Sequence, residues 1–261
     1  MATYGNSFTP ADLEAFAALT VVPGITVGDL SFVQAMSLYS TGLITPSAAN
    51  TLGANSNRRL FQVPIGGTGG GYAAAYTHTR SETNLEVRDF KNDANMVFVA
   101  THACFAVSKR SRNAGATTEI QSLIPSTSGL WSLLQGLYWE VTVGDNITRN
   151  YGLLKDYPQG GGIYGIAAVD GAATAVPTLA AATNGVGAQN GNPSVYCARP
   201  LSLPIVAPPN IGVNIEVKNG TSTAAAVIND NAGGVDNWLA AAEFIQIRCT
   251  LEGYQFTMPV G

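Results

Sequence analysis

The sequence predicts a mainly β chain, and three observations carry that prediction. Ile211-Gly-Val-Asn-Ile-Glu-Val-Lys218 alternates apolar and polar residues, and so does Leu137-Tyr-Trp-Glu-Val-Thr-Val143. Successive side chains of a strand point to opposite faces, so each segment buries one face and presents the other to water or a neighbour. Met96 to Ser108 (MVFVATHACFAVS) is apolar on both faces, as in a strand covered on both sides. The stretches between such segments are rich in Gly, Ala, Thr, Asn and Pro, the residues of turns and loops.

The first 55 residues read differently. Thr9-Pro10-Ala-Asp12 has the form of a helix start, with Thr9 as cap, Pro10 in the first turn and Asp12 facing the positive end of the dipole. Leu13, Phe16, Ala17 and Thr20 follow at helical spacing. Asp29 can cap a second helix carrying Leu30, Val33 and Met36 or Ser37, ending near Gly42. Thr45-Pro46 repeats the start signal for a short third helix to Leu52. The expected organisation is a short helical N-terminal region, residues 1–55, and a β domain over residues 56–261.

Within the β domain, Leu60 to Ile65 is the expected opening strand, with Pro64 near its end. Gly66-Gly-Thr-Gly-Gly-Gly71 lacks the Lys-Ser or Lys-Thr and the following helix of a phosphate loop, and is expected to be a tightly turned or flexible loop. Thr83 to Phe90 is a second expected strand, and Trp131 to Leu134 one helical turn. Gly144-Asp145-Asn146 turns the chain so that Ile147 to Leu154 pairs back on Leu137–Val143. Residues 155–200 form a long insertion, and its 171–198 stretch has no charged side chain. Leu201 to Val206 and Ile211 to Lys218 are strands joined by Ala207-Pro-Pro-Asn210. Ala224 to Ile228 is a short strand or helix, Trp238 to Ala242 reads as helical, and Ile245, Ile247, Cys249 and Leu251 alternate in a last strand. These segments supply about eight or nine strands, enough for one eight-stranded roll and short of the sixteen a double roll requires.

Charged residues make up 11 % of the 261, against roughly a quarter in typical soluble domains, while hydrophobic residues make up 46 %. Such a chain folds rather than staying disordered, and its surface is suited to being covered by other chains. Net charge is −4, and the one dense basic run, Lys109-Arg110-Ser111-Arg112, is expected in a loop, as a solvated turn or a contact with an acidic partner. With Arg58-Arg59 as the only other basic pair, direct nucleic-acid binding is not expected. Cys104, Cys197 and Cys249 show no framework spacing, and Cys104 and Cys249 are expected as buried thiols. No charged-then-apolar leader opens the sequence, and synthesis and folding in a cytoplasm are expected. The glycosylation triplets at Asn146 and Asn219 carry no weight without one.

Chemistry-bearing residues are sparse. His102 and Cys104 share a strand face, but two donors do not make a zinc site, and His78 is the only other histidine. No Gly-x-Ser-x-Gly elbow occurs. Glu140 and Glu216 are candidate paired carboxylates for glycoside hydrolysis, against the commoner role of solvated strand carboxylates. Tyr138, Trp139, Tyr151, Tyr157 and Tyr164 could form a sugar platform or a subunit interface. Asp230 and Asp236 would permit a calcium site. No residue is assigned a catalytic, cofactor-binding or metal-binding role, no cofactor is expected, and the chain is read as a non-enzyme.

Three segments together carry a family resemblance. They are Arg59-Leu-Phe-Gln-Val-Pro-Ile-Gly66 with Thr83-Asn84-Leu85; Glu140-Val-Thr-Val-Gly-Asp145 with Asp156-Tyr-Pro-Gln-Gly-Gly161; and Leu203-Pro-Ile-Val-Ala-Pro-Pro-Asn210 with the Ile245–Leu251 strand. In layout, residues 58–260 resemble a jelly-roll major capsid (coat) protein of a tailless icosahedral virus, a bacteriophage in particular. The resemblance implies a jelly-roll β-sandwich of two four-stranded antiparallel sheets; the strand count favours a single roll, with a double roll as the alternative. It implies self-assembly into a closed virion shell, with copies of the chain and other virion proteins as partners and an underlying membrane left open. Residues 1–55 and 155–200 are the expected contacts between copies. The basic N-terminal arm of many small RNA virus coats is missing, in line with no direct genome binding. The alternative from a different class is a carbohydrate-binding β-sandwich using Trp139 and the Tyr151–Tyr164 region.

Overall fold

The computed structural model describes residues 18, 20–22, 25–26, 31–44, 51–52, 57–88, 90, 92, 95–112, 119–122, 133–144, 147–159, 163–169, 184–190, 199–220, 226–227 and 243–257. In chain order the strands are β1 Thr20–Val22, β2 Ile25–Thr26, β3 Ser31–Ile44, β4 Thr51–Leu52, β5 Asn57–Leu60, β6 Met96–Arg112, β7 Glu119–Ser122, β8 Leu137–Val143, β9 Ile147–Leu153, β10 Ile163–Val169, β11 Asn184–Asn190, β12 Arg199–Ala207, β13 Val213–Asn219, β14 Ala226–Val227 and β15 Glu243–Thr257. All their pairings are antiparallel. One helical turn spans residues 133–136, and a 3-10 turn spans Leu154–Asp156.

Two sheets form a sandwich. The smaller runs β5-β13-β8-β9. The larger has β3, β15, β6 and β12 as its body, with β7, β10 and β11 added beyond β6. Numbered among these eight principal strands, one layer holds the first, eighth, third and sixth, and the other the second, seventh, fourth and fifth. A single cluster lies between the layers. Leu38, Ile44, Phe98, Phe105, Val107, Ile245, Ile247 and Leu251 come from the large sheet, and Leu60, Trp139, Val141, Val213, Ile215 and Val217 from the small one. Phe105 meets Trp139 edge to face at 5.1 Å, which ties the two layers together at the centre.

The alternating segments fold as their pattern requires. β8 buries Leu137, Trp139 and Val141, and β13 buries Val213, Ile215 and Val217. β9 pairs back on β8 through Gly144, whose φ of 62° is the left-handed turn conformation that glycine adopts without steric cost. β6 is buried on both faces and lies inside the sheet. Its second edge is shared in sequence by β12, by Tyr157–Gln159 hydrogen-bonding to both backbone groups of Phe105, by β11 at Val107 and by β7. The insertion thus contributes β10, β11 and part of β12 to the large sheet.

Four local expectations need correction. Of residues 29–42, expected as the second N-terminal helix, 31–42 lie instead along β3, which pairs with β15 from Ile44 to Ser31. Residues 1–55 are therefore not a purely helical region, because β3 is a principal strand of the sandwich. The pairing partner on β15 overrides the helix propensity of Ala35, Met36 and Leu38. Of the neighbouring helices expected there, residues 9–17 lie outside the described residues, while Thr51–Leu52 is a short strand paired with β14. The opening strand β5 ends at Leu60, because Phe61 has a φ of 59° and turns the chain out of the sheet. Thr83 to Phe90 is irregular; Thr83, Leu85 and Phe90 are buried anchors while Val87 is 54 % exposed. Finally, Lys109 to Arg112 belongs to β6 and not to a turn. Trp238 to Ala242 lies outside the described residues.

Candidate functional site

The outer faces of the two sheets differ in chemistry. On the small sheet, the residues opposite the core side are Arg59, Asn214, Glu216, Lys218, Tyr138, Glu140, Thr142 and Thr148. Glu140 and Glu216 stand directly opposite each other in register. Two facing carboxylates would repel. Here Lys218 Nζ lies 2.6 Å from Glu140 Oε2 and 3.4 Å from Glu216 Oε2, and Arg59 Nε lies 2.8 Å from Glu216 Oε1. Burial pushes the Glu216 carboxyl up, but Asn214, Arg59 and Lys218 outweigh it and hold it below the usual range. The Glu140 hydrogen bond holds the Lys218 ammonium above its ordinary value. Cations thus face both carboxylates, and the four side chains form a charge-balanced ladder on the outer face.

The outer face of the large sheet carries a folded segment, residues 66–85. Its glycine-rich turn has positive φ at Gly66, Gly69, Gly70 and Gly71. A Cβ on Gly71 would stand 2.5 Å from the Leu43 carbonyl oxygen, so glycine alone allows this approach. Tyr72 and Tyr76 stack at 5.1 Å, and His78 meets Tyr72 edge to face at 4.5 Å. Arg110 from β6 lies over both tyrosine rings, donates to the Tyr76 hydroxyl at 2.7 Å and pairs with Glu82 at 3.4 Å. The Tyr72 hydroxyl hydrogen-bonds Thr41 of β3 at 2.7 Å and accepts from Gln246 of β15 at 3.0 Å. Burial pushes the Tyr72 phenol up to about 12. Three strands of the sheet are thus pinned to one loop by buried polar groups.

The residues with candidate chemistry are dispersed or already engaged. His78 is buried under Tyr72, while His102 sits in β6 opposite Glu252, its Nδ1 2.9 Å from Thr101 Oγ1. Burial lowers the His102 imidazole pKa and raises the Glu252 carboxyl. No group of three or more metal-ligating side chains occurs among the described residues. Cys104 and Cys249 are buried free thiols, and burial raises the Cys249 thiol well above its ordinary value. The arginine at the centre of the basic run is consumed by Glu82 and the two tyrosines. Asp230 and Asp236 lie outside the described residues.

Trp139 is not available as a platform. It is fully buried, stacked on Tyr151 at 4.7 Å and set edge to face against Tyr157 at 5.2 Å. Tyr157 is buried too, and its hydroxyl donates to the Tyr151 carbonyl oxygen. Tyr151 reaches across the edge of the sandwich to donate to the carbonyl oxygen of Leu203 in β12. These three aromatics close the seam between β9 and β12. Sequence reasoning missed the Glu82–Arg110 network entirely; a buried arginine amid a basic run gives no local signal.

Large apolar side chains remain exposed at Ile65, Val87, Leu203 and Ile211, in the loops and along β12. Ile65 donates its N–H to Leu85, so Ile65 and Val87 belong to one loop pair. Comparison with family models, with curated proteins and with solved structures gives no match.

Proposed function

We propose that this chain is a jelly-roll coat subunit that assembles with copies of itself into an icosahedral viral shell. The observation that carries the reading is the strand order. The layers 1-8-3-6 and 2-7-4-5 are what a ribbon of four antiparallel strand pairs gives when it wraps round a barrel, the plan of the eight-stranded jelly roll. The same plan serves other tasks, so the function rests on the surface. A charged fraction of 11 %, exposed Val87, Leu203 and Ile211, and a neutralised outer ladder are suited to burial against copies, each contact small and many adding up. The seam between β9 and β12 is closed by buried aromatics, which favours assembly over glycan binding there.

Negative-stain electron microscopy and analytical ultracentrifugation of the purified chain test this. Closed particles of uniform diameter are expected. A chain that stays monomeric at high concentration across salt and pH overturns the proposal.

A further inference from the structure

β3 is the outermost of the large sheet's principal strands. β15 takes one of its edges along the full strand. The other edge is a row of backbone donors and acceptors able to take up any extended chain. Segment 66–85 occupies it from Ser37 to Leu43. Asn84 Oδ1 accepts from the Tyr39 N–H at 2.8 Å, the Asn84 N–H donates to the Tyr39 carbonyl at 3.2 Å, and Asn84 Nδ2 donates to the Ser37 carbonyl at 2.7 Å. Thr83 bridges Ser40, and the Leu43 N–H donates to Gly70 at 2.7 Å.

The sequence of β3 explains why such cover matters. Ser31 to Ile44 contains no charged residue and no proline, so it carries none of the groups by which edge strands ordinarily repel one another. An antiparallel strand can pair with a second copy of itself about a two-fold axis. The cover is held by local polar contacts: Glu82 with Arg110, Tyr72 with Thr41 and Gln246, and Arg248 donating to the Ser81 carbonyl. Its apolar anchorage is Leu85 in the main core at one end and Tyr72 and Tyr76 against Leu43 and Phe244 on the outer face. Such a segment opens at lower free energy than the sandwich core.

We infer that segment 66–85 is an edge guard, a strap that blocks pairing of β3 with β3 of a second copy. The product it prevents is a two-fold dimer joined through β3, distinct from a closed shell. The inference therefore stands apart from the proposed coat function.

The test loosens and then locks the strap. E82Q/N84A weakens the strap's contacts to Arg110, Ser37 and Tyr39 without substituting a sheet residue. Hydrogen exchange at the Tyr39 and Leu43 amides is expected to accelerate about tenfold, and sedimentation to show a dimer. Ser40 and Thr83 form a non-hydrogen-bonded antiparallel pair, the geometry that accepts an engineered disulfide. Oxidised S40C/T83C added to the loosened chain is expected to abolish that association, and reduction to restore it. Unchanged exchange, faster exchange without association, or association that survives oxidation overturns the inference. Should E82Q/N84A fail to fold, S40C/T83C alone is compared oxidised and reduced under mild denaturant; equal association in both forms overturns it.

Discussion

Glu82 and Arg110 meet 3.4 Å apart with side chains 4 % and 7 % exposed, joining a loop to the middle of a sheet. Removing one partner of a buried pair leaves the other charge unsolvated, which typically costs about 3–5 kcal/mol. Arg110 holds the two stacked tyrosines as well as the carboxylate, so Arg110→Ala is expected near that range by urea denaturation. E82Q keeps most hydrogen bonds and is expected to cost less.

The same carboxylate gives a pH signature. Burial pushes it up, but hydrogen bonds from Ser81, Thr79 and Tyr76 outweigh burial and hold it at about 2. Its folded pKa is depressed below the unfolded value, so the stability it contributes is present above about pH 4.5 and lost as pH falls towards 2. Stability between those pH values is expected to fall less steeply in E82Q than in the unmodified chain. Denaturant midpoints across that window check it.

Gly253 offers a sharper steric test. In β15 it lies at a bulge where Thr101 is the extra residue of β6, and a Cβ there would stand 1.9 Å from the Val99 carbonyl oxygen. The obstacle is backbone and cannot rotate away. Gly253→Ala is expected to destabilise by about 3 kcal/mol, measured as a shift in the urea midpoint at constant m.

Trp139 separates packing from hydrogen bonding. Its indole N–H meets no acceptor among the described residues. Trp139→Ala is expected to cost about 3–5 kcal/mol through the cavity it leaves. Trp139→Phe is expected to cost less, because it also removes an unsatisfied buried donor.

Lys218 is the hinge of the outer ladder. Lys218→Ala leaves Glu140 and Glu216 opposed with Arg59 alone to neutralise them. A loss of about 0.5–1 kcal/mol is expected, shrinking as salt is added. The Glu216 carboxyl is expected to move upward, read by NMR titration.

The sequence pattern was legible where burial and period agreed. Leu137, Trp139 and Val141, or Val213, Ile215 and Val217, alternate cleanly because each strand has one dry and one wet face. β6 was legible because both of its faces are covered. β3 was not, since Ala35, Met36 and Leu38 favour helix locally and the partner that decides the matter lies some two hundred residues away on β15. Thr83 to Phe90 misled for the converse reason. Leu85 and Phe90 are buried singly, as pegs of a loop, and Val87 between them is not. Of the outer-face chemistry, the facing of Glu140 and Glu216 could be posed from sequence, but the cations that neutralise them depend on strand register. The Glu82–Arg110 contact joins residues 28 apart through a tertiary fold and has no sequence period at all.

β15 occupies the middle of the large sheet, between β3 and β6. During synthesis both of those neighbours leave the ribosome long before it does. Until residues 243–257 emerge, two long apolar strands face a vacant slot a strand wide, and sheet closure waits for sequence-distant pairing, the slow kind. Cotranslational vulnerability therefore concentrates in that interval, and a chaperone that shields the slot would act before residues 243–257 emerge.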